Sequence, residues 1–187
     1  MNKSLKYSLG ILLVVFLTGC APWQYIDMNN SKWSSGPFES VLPNGWMKFN
    51  SPNHILMVTK DGFLLQAISI TKSKTNQELP YTKKKIKEDM LLEEISSLVV
   101  DEMSLDQSYK NLKILMNKPV KVGGVDAFEI EFTFNNDDFV KYHVLTYGFL
   151  LKKQFYELEY AATEQHYYKH DLKDFEEFVG SFNVRVK

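Results

Sequence analysis

Phe128-Glu129-Ile130-Glu131-Phe132-Thr133-Phe134 alternates apolar and polar side chains without a break. Successive side chains of a β-strand point to opposite faces, so this stretch reads as a strand with one buried and one polar face. Just upstream, Leu112–Val122 reads as a strand that runs into Gly123-Gly124, a hairpin signal. Downstream, Asn135-Asn136-Asp137-Asp138 is a turn, and Val140, Tyr142 and Val144 then alternate with Lys141 and His143. Lys152-Lys153 marks another break, after which Tyr156-Glu157-Leu158-Glu159-Tyr160 alternates again.

Working outward, Ile55–Thr59 and Phe63–Thr71 read as two strands joined through Lys60-Asp61-Gly62. Between them and the long strands the period changes. From about Tyr81 to Leu105, Leu91, Ile95 and Leu98, then Leu92, Val99 and Met103, recur at three- and four-residue spacing, which predicts a helix. A second helix is expected from about Glu164 to Phe182, with Leu172, Phe175, Phe178, Val179 and Phe182 as its apolar stripe. The order β-β-α-β-β-β-β-α makes an α+β domain: a largely antiparallel sheet flanked by helices. Pro43-Asn44-Gly45 before Trp46 places the start of that single domain near residue 41, so that it spans 41–187.

The first 19 residues have a basic start (Lys3, Lys6), an apolar run from Leu9 to Leu17 and a small-residue junction. That is the plan of a secretory signal peptide, and the run is too short to span a bilayer, which takes about 20 apolar residues. The junction Leu17-Thr18-Gly19-Cys20 resembles a bacterial lipobox, which makes Cys20, the chain's one cysteine, the expected lipid-attachment residue. The expected location is the extracytoplasmic side of a bacterial envelope. Ala21 in the next position resembles lipoproteins sent to the outer membrane where the host has two membranes. Residues 20–40 read as the lipidated end and a tether. Trp23, Tyr25 and Trp33 within it are suited either to headgroup depth or to packing on the domain.

The 187 residues carry a formal charge of -1, and loss of Lys3 and Lys6 with the leader takes it to -3. A near-neutral domain lacks the basic face that nucleic acid requires. With its single cysteine assigned to lipid, the chain has no disulfide framework and no thiol nucleophile. It also lacks a G-x-S-x-G elbow, a phosphate-binding glycine loop and an S-x-x-K motif. No cofactor is therefore expected.

Three side-chain groups stand out. His166 and His170 lie four apart on the last helix, the spacing of paired zinc ligands, but the third ligand is not evident and Lys169 stands between them. Glu129, Glu131, Lys141, His143, Glu157 and Glu159 would share the non-core face of a meander, where carboxylates around a histidine suit either a groove or plain cross-strand pairing. Lys83-Lys84-Lys85 forms a basic cluster at the expected start of the long helix, a placement the helix dipole disfavours; it suits either a solvated face of flexible side chains or a surface for anionic headgroups or an acidic partner.

Leu42-Pro43-x-Gly45-Trp46, Gly123-Gly124-Val125-x-Ala127-Phe128, Phe155-Tyr156-x-Leu158-x-Tyr160-Ala161-Ala162 and Phe175-x-x-Phe178-x-x-Ser181-Phe182, in that order, resemble the PsbP-like α/β/α sandwich and its bacterial lipoprotein members. The resemblance spans residues 41–184. It implies an antiparallel sheet with helices on both faces, in proteins that act mostly as accessory or assembly factors, and hence a membrane-anchored, non-enzymatic module with an envelope protein as partner. A small-ligand, metal-binding or hydrolytic role in the Glu/His-lined groove is the alternative.

Overall fold

The computed structural model describes residues 22–185. Six strands come first: β1 (Trp23–Tyr25), β2 (Lys32–Ser35), β3 (Phe38–Val41), β4 (Met47–Phe49), β5 (Leu56–Thr59) and β6 (Gln66–Lys74). Helix α1 (Leu92–Leu105) follows, then β7 (Lys110–Val122), β8 (Val125–Asn135), β9 (Lys141–Leu151) and β10 (Gln154–Thr163). Helix α2 (Tyr167–Ser181) and a short β11 (Asn183–Val184) close the domain. Eight strands pair in the order β1-β4-β5-β6-β10-β9-β8-β7, each antiparallel to its neighbours. The other three form a small sheet, β11-β3-β2. The α+β class and the antiparallel sheet expected from alternation are what the chain builds.

Each face of the large sheet carries a core of its own. Phe128, Ile130 and Phe132 of β8, Val144 of β9 and Phe155 of β10 pack beneath Ile95, Leu98 and Val99 of α1. On the other side Ile68 and Ile70 of β6, Leu145 and Phe149 of β9, and Leu158 and Tyr160 of β10 pack beneath Phe175 and Phe178 of α2. Helix α1 contacts β7 and β8, whereas α2 spreads over β3, β6, β9 and β10. Over the half of the first face formed by β6 and β10, α1 packs less closely than over β7 and β8. Outermost on that side, β7 carries Lys110, Lys113, Lys118 and Lys121 along with Pro119, and its register slips twice against β8.

Two expectations change. The helix expected from Tyr81 begins only at Leu92, where the Glu94 carboxylate accepts the Leu91 backbone N–H at 2.9 Å. Residues 76–91 instead form a folded loop held by a bridge between Glu78 and Lys85, with Asn76 and Lys83 at positive φ. Ile86 is the one fully buried side chain in this loop, too little apolar surface for a helical stripe. Residues 22–40, expected as a tether, belong to the domain. Trp23–Tyr25 pairs with Phe49–Met47, and the Trp23 ring lies 4.9 Å from Phe49 and 5.1 Å from Phe63. Packing, the second of the two roles open to Trp23, is the one it takes. Cys20 and the leader lie outside the described residues.

Candidate binding site

The six polar side chains expected on one face lie on two. Between β8 and β9 the loop spans five residues, so like parities face each other: Glu129 pairs with Tyr147 and Glu131 with Leu145. Between β9 and β10 the turn is only Lys152-Lys153, both at positive φ, and Leu151 pairs with Gln154. A two-residue turn reverses parity, so Glu157 comes opposite Gly148 and Glu159 opposite Thr146. Glu129, Glu131, Lys141 and His143 therefore sit on the α2 side and Glu157 and Glu159 on the α1 side. The single Glu/His groove does not form.

Glu157 and Glu159 line a cavity of about 410 Å³ between the β6 and β10 half of the sheet and the flank of α1, whose Val99, Glu102 and Met103 form part of its wall. Its floor is Ser69, Thr71 and Ser73 of β6 with the two glutamates of β10, and the loop residues Leu79, Pro80 and Ile86 roof it. Tyr109, Phe132 and Phe155 supply aromatic walls. Burial raises both glutamates to about 7, and for Glu157 the neighbouring Glu159 charge adds to the effect. Among the described residues no hydrogen-bond donor reaches either carboxylate. Thr146, 3% exposed and also in the wall, has a hydroxyl oxygen with no partner. Buried polar groups are nearly always paired, so the Thr146 hydroxyl is exceptional, and it lies beside two half-buried carboxylates that accept no protein hydrogen bond. Tyr109 is raised above its usual range, first by burial and then by the charges of Glu159 and Glu157.

On the opposite face the polar groups satisfy one another. Glu131 accepts from His143 Nε2 at 2.7 Å and from the Tyr168 hydroxyl at 3.1 Å, and the His143 ring stacks flat on Tyr168 at 3.6 Å. Glu129 pairs with Lys118 at 3.3 Å and Lys141 with Glu164 at 2.8 Å. The Tyr168 hydrogen bond and its stack on His143 tie α2 to the sheet, and the two ion pairs join β7 to β8 and β9 to the segment before α2. His166 and His170 do stack, at 5.6 Å, but His170 Nδ1 bonds Asp171 at 2.8 Å, and the described residues contain no cluster of three metal-ligating side chains. Lys83, Lys84 and Lys85 sit in the loop rather than on a helix: Lys84 pairs with Asp101, Lys85 with Glu78, and Lys83 reaches the Pro80 carbonyl.

Asp171 escaped the sequence reading altogether. It is 1% exposed and accepts from Lys60 Nζ at 2.9 Å and Gln66 Nε2 at 3.1 Å. Burial works against its charge, yet the bonds from Lys60, His170 and Gln66 prevail and hold its carboxyl below the usual range. Replacing Asp171 with alanine removes the partner of the one-third-exposed Lys60 and one of two acceptors of the Gln66 amide, which keeps Asp61 at 2.8 Å. The expected loss is about 2 kcal/mol. Urea denaturation at pH 7 checks it, and a variant within 0.5 kcal/mol of wild type (roughly the scatter of a surface change) would show the network to be dispensable.

These features define an α+β domain whose unfilled chemistry lies in a carboxylate-lined cavity beneath one face of its sheet. The chain belongs to the PsbP family, whose model matches residues 29–184. Among solved structures it is similar to cyanobacterial PsbP (CyanoP) from Synechocystis, at 16% identity and a TM-score of 0.55 over 89% of this chain and 95% of that one. It is also similar to LpqN, involved in cell envelope biogenesis of Mycobacterium tuberculosis, at 11% identity and 0.57 over 88% and 91%. The Ran-binding protein Mog1p of Saccharomyces cerevisiae matches at 9% and 0.51 over 87% and 95%. At such identities the likeness is one of fold. Comparison with curated proteins gives no match.

Proposed function

We propose that the protein is a lipid-anchored, extracytoplasmic accessory module of a bacterial envelope, acting by contact with another envelope protein and not by catalysis. The observation that carries this reading is the position of β1. It begins three residues after Cys20, and three extended residues span about 10 Å. A diacylated Cys20 would thus hold the β1 edge directly at the headgroups, where Tyr25 (55% exposed) and the neighbouring Leu64 (79%) suit interfacial contact. The family and its LpqN-like fold, in a protein involved in envelope biogenesis, agree with an envelope role. Among the described residues no helix is long and apolar enough to cross a membrane. Two acyl chains give the stable anchoring that one does not.

Cell fractionation with crosslinking tests the proposal. Wild type is expected in the membrane fraction with a stoichiometric partner, and Cys20→Ser in the soluble fraction. Charge reversal at Lys83, Lys84 and Lys85 together is expected to release the partner without moving the protein, since these exposed pairs contribute little to folding. A Cys20→Ser protein that stays with membranes would overturn lipid anchoring, and a triple variant that keeps its partner would remove this loop as the contact.

A further inference from the structure

We propose that the cavity between β6, β10 and the 79–86 loop binds a small organic amine, its ammonium group received by Glu157 and Glu159 and its carbon chain held by the aromatic walls. The proposal is independent of how the protein reaches its membrane. Four acidic residues border the cavity, namely Glu102, Asp106, Glu157 and Glu159, and no lysine or arginine does. The outer two are already engaged. Glu102 accepts from the backbone N–H groups of Tyr81 and Thr82 at 2.7 and 2.8 Å, and Asp106 accepts from Ser108 at 2.9 Å. The inner two are free, and the Thr146 hydroxyl beside Glu159 is without a partner. Negative charge, open acceptors and an unpaired buried hydroxyl together specify a cation that donates hydrogen bonds.

The walls decide which kind of cation. A divalent metal takes six or more oxygens and keeps much of its water, which Phe132, Phe155 and Leu79 would displace without replacing. Glu157 and Glu159 alternate along one strand, and no third metal-ligating side chain joins them. An alkylammonium needs fewer contacts. Its head satisfies two carboxylates and a hydroxyl, its chain gains from apolar contact, and the faces of Tyr109 and Phe155 attract the charge. A volume near 410 Å³ falls in the range of small-molecule sites.

Binding must also move protons. With both carboxylates raised to about 7, the empty cavity is partly protonated at neutral pH, and an ammonium drives those protons off. The other titratable groups facing the pair are Glu102 and Asp106, both held below their usual range, Tyr81 and Tyr109, both raised above theirs, and His54, whose Nδ1 is bonded to Ser51 at 2.8 Å. The two glutamates are therefore the acids that an entering ammonium deprotonates near pH 7.

The test is isothermal titration of the full chain in detergent with 1,4-diaminobutane, with 1-butanol and calcium chloride as controls. One site per chain is expected for the diamine, with proton release in buffers of differing ionisation heat and affinity rising from pH 5 to pH 8. Butanol and calcium are expected to leave the site empty. The Glu157→Gln/Glu159→Gln double variant is expected to lose at least about tenfold in affinity. Thr146→Val is the second variant: it removes the orphan hydroxyl at nearly constant volume, so it should raise thermal stability while weakening the diamine. Diamine binding no tighter than butanol, binding without proton release, displacement of the diamine by calcium, or full affinity in the double variant would each overturn the proposal.

Discussion

Gly148→Val should abolish the native fold or cost at least about 3 kcal/mol. Gly148 has an ordinary strand conformation, so the demand is for space and not for an unusual backbone angle. A Cβ built there collides with Phe128 Cζ and lies 2.6 Å from Phe128 Cε1 and Cε2. The two residues are cross-strand partners, and the Phe128 ring lies flat over the glycine. That ring is 2% exposed and packs on Phe155, so it has nowhere to turn without opening the α1-side core. Strand β9 would have to move away from β8, breaking the ladder of the long meander. Urea denaturation of Gly148→Val and of the double variant Gly148→Val/Phe128→Ala measures it. The second change should restore part of the loss, because it removes the atoms in collision. A single variant within 1 kcal/mol of wild type (the size of an average substitution) would show that the ring can leave.

The second large effect is on stability against pH. Glu157 and Glu159 are raised from 4.5 to about 7 by burial, with each other's charge contributing for Glu157. For an acid raised on folding, the folded state binds more protons than the unfolded state between the two values, so stability falls as pH rises through that window. At 1.36 kcal/mol per unit, the cost is on the order of 3 kcal/mol per carboxylate, reached only above pH 7. Glu102, Asp106 and Asp171 are lowered, and their contribution is lost at acid pH, below the window that isolates the pair. The wild-type midpoint in urea is expected to fall between pH 5 and pH 8. The Glu157→Gln/Glu159→Gln variant should be flatter over that range and more stable than wild type at pH 8. Parallel pH profiles for the two proteins would mean that the cavity solvates its carboxylates after all.

Strict alternation was enough to read the meander, because 128–134 and 156–160 have one apolar face each and a strand has only two faces to offer. What alternation alone does not convey is which face of one strand continues into the next. That is settled at the turns, by five residues between β8 and β9 and two between β9 and β10. Lys152 and Lys153 carry none of the Asn-Gly chemistry that announces a tight two-residue turn, so the parity reversal stayed hidden and two pairs of glutamates were placed together. Asp171 was hidden for another reason. Its neighbours His170, Leu172 and Lys173 read as an ordinary amphipathic helix, and its partners Lys60 and Gln66 are more than a hundred residues away. The Thr146 hydroxyl had no local signal at all, since only the roof formed by 79–86 turns that position into the wall of a cavity.

The lysines and proline of β7 bear on how any partner can approach. An outer strand with open N–H and C=O groups invites another chain to add itself to the sheet. β7 discourages this with four lysines, a proline that has no N–H to offer, and two register slips that bend its ladder. The opposite margin, β1, is three residues long. With both margins closed to strand addition, recognition falls to side chains on the helices and loops. Such contacts can be tuned one residue at a time, and they keep the protein from polymerising through its own sheet.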